Sequence, residues 1–205
     1  TGLTTDVGNI TLTSTGNGVD LVGAPDADGT LTVTAADSFT QNATALNAEN
    51  DITITADDFQ AGATVTVQAG SLTATVTNDS AVTGDILVQG GGITITQSGG
   101  ANQGFSSNGG TNGMVADNDI TITAQQATLD EVKTVAGNLT ISATNDITIA
   151  ANATTDISGS ITLTSTNADH VSGDTATAIT TTGILLADND ITITANDAVA
   201  GGKGQ

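Results

Sequence analysis

The sequence contains no cysteine, tryptophan, tyrosine or arginine, and it has a single proline and only three phenylalanines. Without cysteine, neither a disulfide nor a cysteine metal site contributes to the fold, and either a reducing or an oxidising compartment is compatible with the chain. Aromatic residues make up 1% of the chain, so any core must be built from thin, uniform layers of aliphatic side chains. These absences argue against an ordinary globular core.

Basic residues are almost absent as well. Lys133 and Lys203 stand against 22 acidic residues, which gives a formal net charge of −20. Binding to nucleic acid or to anionic lipid needs lysine and arginine to neutralise phosphates. We therefore expect no nucleic-acid partner and no membrane insertion, since no apolar stretch reaches the length of a membrane span either. The charge itself favours solubility and mutual repulsion.

The apolar residues that are present form a repeat. The nonapeptide ADNDITITA occurs at 116–124 and again at 187–195, and AENDITITA occurs at 48–56. Similar runs recur along the chain at intervals of 19 to 30 residues, and five of the eight intervals are 20 to 22 residues. Their opening residues are Ile10, Leu31, Ile52, Leu72, Ile93, Ile120, Leu139, Ile161 and Ile191. A fixed period of this length is typical of a solenoid.

Each run alternates apolar and polar residues, which indicates a strand with one buried and one exposed face. The predicted core contains Ile10, Leu31, Ile52, Ile54, Ile93, Ile120, Ile122, Ile161, Ile191 and Ile193. The predicted outer column contains Thr11, Thr32, Thr53, Thr73, Thr94, Thr121, Thr140, Thr162 and Thr192. Only glycine or asparagine stands two residues before each run, so we predict a corner with positive φ there.

Strands of this kind cannot bury their apolar edges alone, so we predict that they stack. The predicted fold is all-β: one domain over residues 1–205, a parallel β-helix (β-solenoid) of about nine coils of roughly 20–22 residues, with threonine-rich outer faces. Short apolar segments between the runs predict two or three strands in each coil, and residues 125–136 are predicted to form strand and turn. Nine coils at roughly 4.8 Å per coil make a rod of about 43 Å.

The coils group in threes, because the nonapeptide marks every third coil at offsets of 68 and 71 residues. Near its ends, the sequence shows no pattern typical of a helix, no proline-rich segment and no cluster of charged residues that would cap a solenoid. An uncapped parallel edge is a template for further pairing. We therefore expect both ends to be covered by more coils, either from neighbouring subunits or from the rest of a longer polypeptide.

The residue directly before each run forms a further column, whose acidic members are Asp51, Asp119 and Asp190. These three are never neighbours in the predicted stack. Like charges on adjacent strands repel, so their spacing favours a parallel ladder. Asparagine and threonine side chains can hydrogen-bond along such a ladder.

The segment AGNLTISATNDITIAANATTDISGSITLTSTN, residues 136–167, resembles the repeats of filamentous haemagglutinin-like, two-partner-secreted bacterial exoproteins. The resemblance extends over nearly the whole chain. It implies a right-handed parallel β-helix and an extracellular adhesive or fibrous protein, and it carries over no catalytic residue. The secretion domain of that family is not visible in the sequence.

Few side chains are suited to catalysis. His170 is the only histidine, so no second histidine or cysteine can complete a nucleophilic triad or a transition-metal site. Solenoid polysaccharide lyases and hydrolases resemble this predicted fold, but they work with basic and aromatic residues along a groove. We therefore expect no enzymatic activity and no catalytic residue.

Calcium is the one cofactor that the sequence leaves open. Asp26 and Asp28 alternate in APDADGT and place oxygen ligands on one side of a tight turn, as hard cations prefer. The remaining ligands of an EF-hand loop are absent, and ordinary Asp-Gly turn chemistry explains the same residues.

The two longest intervals between successive runs predict loops at 97–113 and 165–183, with Phe105 packed onto the rod.

These observations together predict a structural protein that stacks head to tail, or continues covalently, into an extracellular fibre, surface filament or adhesin. Its expected partners are other copies of itself, and also cells, surfaces or glycans, and its expected location is extracellular, at the cell surface. The alternative is an ice-binding solenoid that uses the Thr-x-Thr columns, although threonine is also a favoured polar residue on any exposed strand.

Overall fold

The structure, a computed structural model, describes residues 4–5, 8–42, 45–100, 103–107, 112–150, 154–166 and 178–195. These residues form three parallel sheets and no helix. The chain winds through the three sheets in turn, so each circuit adds one strand to each of them. The architecture is therefore the predicted all-β parallel solenoid, with three strands in a complete coil.

Sheet A and sheet B contain nine strands each within the described residues, and sheet C contains eight. Sheet A consists of β1 (Thr4–Thr5), β4 (Asp26–Ala27), β7 (Leu46–Ala48), β10 (Val65–Val67), β13 (Ile86–Val88), β16 (Met114–Ala116), β19 (Val132–Thr134), β22 (Thr154–Ile157) and β25 (Ile184–Ala187). Sheet B consists of β2 (Ile10–Ser14), β5 (Leu31–Ala35), β8 (Ile52–Ala56), β11 (Leu72–Val76), β14 (Ile93–Gln97), β17 (Ile120–Ala124), β20 (Leu139–Ala143), β23 (Ile161–Ser165) and β26 (Ile191–Ala195). Sheet C consists of β3 (Val19–Leu21), β6 (Ser38–Gln41), β9 (Asp58–Ala61), β12 (Ser80–Val82), β15 (Phe105–Ser107), β18 (Ala127–Leu129), β21 (Ile147–Ile149) and β24 (Ile179–Thr181).

The number of coils differs slightly from the prediction of about nine. Eight coils of the described chain contribute a strand to all three sheets, and the last contributes only β25 and β26. The Ile-Thr-Ile-Thr runs all lie in sheet B, where each pairs with the next in register. Ile52 pairs with Leu72 and Thr53 pairs with Thr73, for example. Residues 125–136 contain β18 and β19, as predicted for strand and turn.

The core is the inside of the rod, where alternate residues of the three sheets meet. Eight of the ten predicted core residues are 6% exposed or less: Ile10, Leu31, Ile52, Ile54, Ile93, Ile120, Ile122 and Ile161. Ile191 and Ile193 differ from the prediction, since they are 45% and 48% exposed. Both pair in register with inward residues of β23, but no described strand pairs with the other edge of β26. This exposure belongs to the last described strand of sheet B, whereas Ile10 in the first strand of that sheet is buried.

The three phenylalanines lie at one inner position of sheet C. Phe39 and Phe59 stack on successive coils with ring centroids 5.6 Å apart and planes 2° from parallel. Phe105 lies in β15 and is 1% exposed, so it packs into its own rod as predicted. The predicted loops 97–113 and 165–183 therefore need correction, because each contains a strand of sheet C, β15 or β24.

The glycines two residues before the sheet B strands do not share the predicted positive φ. Gly8 has a φ of 139°, but Gly70 and Gly159 do not have positive φ values. Their role is close approach between coils. A Cβ on Gly70 would lie 2.6 Å from Asp51 Oδ1, and one on Gly159 would lie 2.5 Å from Asn138 Oδ1. Glycine thus leaves room for a polar side chain from the preceding coil.

Candidate functional site

The residues directly before the sheet B strands form a polar column along the rod, and we call it the cap column. Its members are Asn9, Thr30, Asp51, Ser71, Gly92, Asp119, Asn138, Ser160 and Asp190. In six of its eight steps, a side-chain oxygen of one coil accepts the backbone N–H of the next member. The donor-acceptor pairs are Thr30 to Asn9 at 2.9 Å, Ser71 to Asp51 at 2.8 Å, Gly92 to Ser71 at 3.3 Å, Asn138 to Asp119 at 2.7 Å, Ser160 to Asn138 at 2.9 Å and Asp190 to Ser160 at 3.4 Å.

Each member of the cap column whose N–H is bound in this way also accepts a hydrogen bond through its own carbonyl. The N–H of Ile120 donates to the carbonyl of Asn138 at 2.8 Å, while the N–H of Asn138 donates to the side chain of Asp119. The same exchange recurs one coil later, where the N–H of Leu139 donates to the carbonyl of Ser160 at 3.0 Å. The N–H and the carbonyl of the corner residue are therefore both bound by the preceding coil, as the polar groups of a tightly packed corner require.

The cap column gives the rod a chemical direction. All six side-chain bonds run from an acceptor in the earlier coil to a donor in the later coil. The sequence prediction of a polar ladder is thus refined, because the acceptors bind mainly backbone N–H groups. One side-chain pair also forms, with Asn138 Nδ2 donating to Asp119 Oδ1 at 3.1 Å.

The edge that contains β25 and β26 is the most apolar exposed part of the described chain. Ile191 and Ile193 project from the open core, and Ile184 and Leu186 lie on β25 with 59% and 49% exposure. The Asp190 carboxylate stands at the same edge, at the last described position of the cap column. This edge, which we call the distal edge, thus combines open strand backbone, apolar side chains and a hydrogen-bond acceptor. Such an edge is a template for a further strand.

The predicted threonine columns lie on the outer face of sheet B, as two columns in register. One column contains Thr11, Thr32, Thr53, Thr73, Thr94, Thr121, Thr140, Thr162 and Thr192. The second contains threonine at every level except Ser142. Adjacent threonines are spaced by about 4.8 Å along the rod and about 6.6 Å across each strand.

Side chains of earlier coils also bind backbone N–H groups near β15 and β17. The buried Gln97 accepts the backbone N–H of Gln125 from the next coil, through Oε1 at 2.8 Å. Asp79 accepts the N–H of Gly104 at 3.0 Å, and Asp85 accepts the N–H of Gly113 at 3.0 Å. Amide and carboxylate oxygens thus hold the connections on both sides of β15. The sequence alone does not distinguish these anchors from other polar residues.

The predicted calcium residues lie at the end of β4. Asp26 is exposed on sheet A, Asp28 is exposed two residues later, and the intervening Ala27 is buried. The described part of the chain holds no group of three or more histidine, cysteine, aspartate or glutamate side chains that could bind a metal ion. His170 lies outside the described residues. Over the ranges that the structure covers, no helix is long and apolar enough to cross a membrane.

Comparisons of the sequence with models of protein families, with curated proteins and with solved structures found no match. The resemblance to filamentous haemagglutinin-like exoproteins accordingly stays a prediction. What the structure supports is the coarser statement that the chain is a parallel β-helix repeat protein.

Proposed function

We propose that the protein is a structural β-solenoid that builds an extracellular fibre, surface filament or adhesin, with its coils extended by neighbouring subunits or by further coils of the same polypeptide. The observation that carries this proposal is the continuity of the three sheets. Register is kept through every described coil, and the distal edge leaves backbone and core side chains exposed. A rod with such an edge is suited to extension by coils of the same pattern.

The outer chemistry supports a structural role over a catalytic one. The described surface is formed largely by threonine and by acidic side chains, and the polar side chains with assigned partners mostly bind backbone groups of adjacent coils. Partners of a fibre or adhesin would be other copies of the chain, or the cells, surfaces and glycans to which the fibre attaches. Extracellular location belongs to the same proposal and rests on the resemblance given above.

Electron microscopy and fibre diffraction of the purified protein test this function. We expect filaments with a meridional spacing of about 4.8 Å and an axial subunit repeat of about 43 Å. Immunogold labelling on intact source cells should place the protein at their surface. Dispersed short rods at all concentrations, together with label confined to the cell interior, would contradict the proposal.

A second candidate function, ice binding, is favoured by one observation only. The two columns on sheet B form a regular array of methyl and hydroxyl groups over nine strands, interrupted once at Ser142. Measurement of ice-crystal growth and thermal hysteresis tests it, with Thr94→Lys as the variant in the middle of the array. Thr66→Lys is the matched control, because it makes the same change at an outer threonine of sheet A, away from the two columns. Ice growth that is unchanged by the unmodified protein would exclude this function.

A further inference from the structure

We propose that the distal edge binds the first coil of a second copy of this chain, in the register that pairs Ile191 with Ile10 and caps the N–H of Asn9 with the Asp190 carboxylate. The proposal rests on the proposed structural function and adds the partner, the polarity and the register. It selects one of several ways in which rods can associate, the others being distal edge to distal edge and side by side through the threonine columns.

The backbone of the distal edge matches the first coil. β26 and β2 are the two terminal strands of sheet B, and both run in the same direction in the stack. Placing β2 beyond β26 would pair Ile191 with Ile10, Thr192 with Thr11 and Ile193 with Leu12. These are the same residue types that face each other where β23 pairs with β26. In sheet B, the join would thus repeat a step that the rod already contains.

The cap column selects the polarity of the join. At each capped step, the earlier coil supplies the side-chain acceptor and the later coil supplies the N–H. Asp190 is the last described member of the column, and its own N–H donates to Ser160 Oγ. A following coil would supply the corner N–H for its carboxylate, and Asn9 occupies that position in the first coil. Two distal edges would bring two Asp190 carboxylates together without a donor, and like charges at this separation repel.

The apolar side chains favour the same partner. Ile191 and Ile193 are about half exposed at the distal edge, and an aliphatic layer on the first coil would bury them. That coil presents Leu12 and Val19, which are themselves only half-buried against the rod. Burial of such side chains is the main favourable term in association.

The absence of cysteine allows a direct test by cross-linking. Thr11 and Thr192 would face each other across the join, within the Cα separation that a disulfide spans, but within one rod they lie about 38 Å apart. The doubly substituted chain Thr11→Cys and Thr192→Cys should therefore form disulfide-linked ladders of two, three and more copies under mild oxidation. The matched control, Thr11→Cys with Thr162→Cys, places the second thiol one coil further from the join, and we expect it to form at least tenfold less cross-linked product.

The single variant Thr192→Cys separates this polarity from its alternatives. Cross-linked dimers of Thr192→Cys alone, in yields equal to those of the double variant, would show distal edges meeting and would overturn the inference even if filaments form. Equal cross-linking by the two double variants would show random contact, and absence of any ladder would show that positions 11 and 192 do not meet across a join. Either result would overturn the inference. Failure of the proposed structural function would instead appear as absence of filaments and of surface label.

Asp190 provides a second, non-covalent readout. Asp190→Ala removes the acceptor for the N–H of Asn9, and we expect end-to-end association in sedimentation velocity to weaken about two- to tenfold. Asp190→Asn keeps an oxygen acceptor and removes a charge, so it should associate at least as well as the unmodified protein. If Asp190→Ala and Asp190→Asn associate equally, the carboxylate does not cap the join and the proposed register is wrong.

Discussion

Asp119 and Asn138 form one step of the cap column, with Asp119 Oδ1 accepting both the backbone N–H of Asn138 at 2.7 Å and its side-chain amide at 3.1 Å. Asn138 then serves as the acceptor for Ser160 in the following coil. A residue that is a donor to one coil and an acceptor for the next links three levels of the rod. The column therefore adds to the backbone ladder at the corners, where strands of sheet B begin.

Replacement of Asp119 by alanine should destabilise the rod modestly. The N–H of Asn138 would lose its acceptor at an exposed corner, where water can compensate in part, and we expect the free energy of unfolding to fall by about 1 kcal/mol. Urea denaturation followed by circular dichroism measures the change. Asp119→Asn retains the oxygen acceptor and should unfold close to the unmodified protein. Equal losses in the two variants would mean that the charge, and not the hydrogen bond, is what matters.

Replacement of Ser80 by alanine should stabilise the rod. Ser80 is 1% exposed in β12, on the inner column between Phe59 and Phe105, and its buried hydroxyl has no hydrogen-bond partner. Removing a buried, unsatisfied hydroxyl should raise the free energy of unfolding by about 1 kcal/mol. Ser71→Ala is the matched control, because Ser71 Oγ accepts the N–H of Gly92 and its loss should lower stability. A destabilised Ser80→Ala would indicate that this hydroxyl has a partner in solution, such as a bound water.

The fold could be predicted from the sequence because the same alternation of apolar and polar residues is repeated along the chain. Alternation at Ile52, Thr53 and Ile54 recurs in nearly every coil, so chance agreement is excluded and the inward face is fixed. The failures arise where the surroundings of a residue decide its state. Ile191 has the same local sequence as Ile120, yet it is exposed, because no strand of the described residues pairs with the outer edge of β26. Gly70 conforms to the pattern of a positive-φ corner, but close contact with Asp51 is what requires glycine, and only the stacked structure shows that contact.

The candidate site was predictable in position but not in chemistry. The spacing of Asp51, Asp119 and Asp190 indicated a ladder before the sheet B strands, and the structure places that ladder there. That the acceptors bind backbone N–H groups, and do so in one direction, depends on the offset between successive corners. No local pattern encodes this offset, since serine, asparagine and aspartate all serve as acceptors in the column.

Ile122→Asp should abolish both folding and assembly. Ile122 is fully buried in β17, between Ile95 of one neighbouring strand and Ile141 of the other. An unpaired carboxylate at this depth costs several kcal/mol, which is a large part of the stability of an ordinary domain. Thr123→Asp is the matched control, because it adds the same charge one residue away on the exposed face and should fold. Far-UV circular dichroism and electron microscopy report the two properties, and normal assembly of Ile122→Asp would show that the inward face is assigned wrongly.

Salt should stabilise the rod and its association, because the chain has a net charge of −20 and its described acidic side chains lie along one rod. Raising the ionic strength from about 0.01 M to about 0.15 M shortens the screening length from about 30 Å to about 8 Å. Acidic groups on neighbouring coils and on neighbouring copies then repel less, so we expect the thermal midpoint and the filament yield to rise together in sodium chloride.

Calcium chloride at matched ionic strength separates this screening from a specific calcium site. Asp26 and Asp28 supply two carboxylates, whereas calcium takes six to eight oxygen ligands, so the remaining ligands would have to be water and backbone carbonyls. We expect binding there to be weak, with a dissociation constant of about 10⁻⁴ M or higher, and expect calcium to raise the thermal midpoint little beyond the effect of sodium chloride. A large calcium-specific rise that disappears in Asp26→Asn would contradict this expectation, since it would require a complete ligand set around that turn. An equal rise in both proteins would instead place the bound calcium elsewhere on the acidic surface.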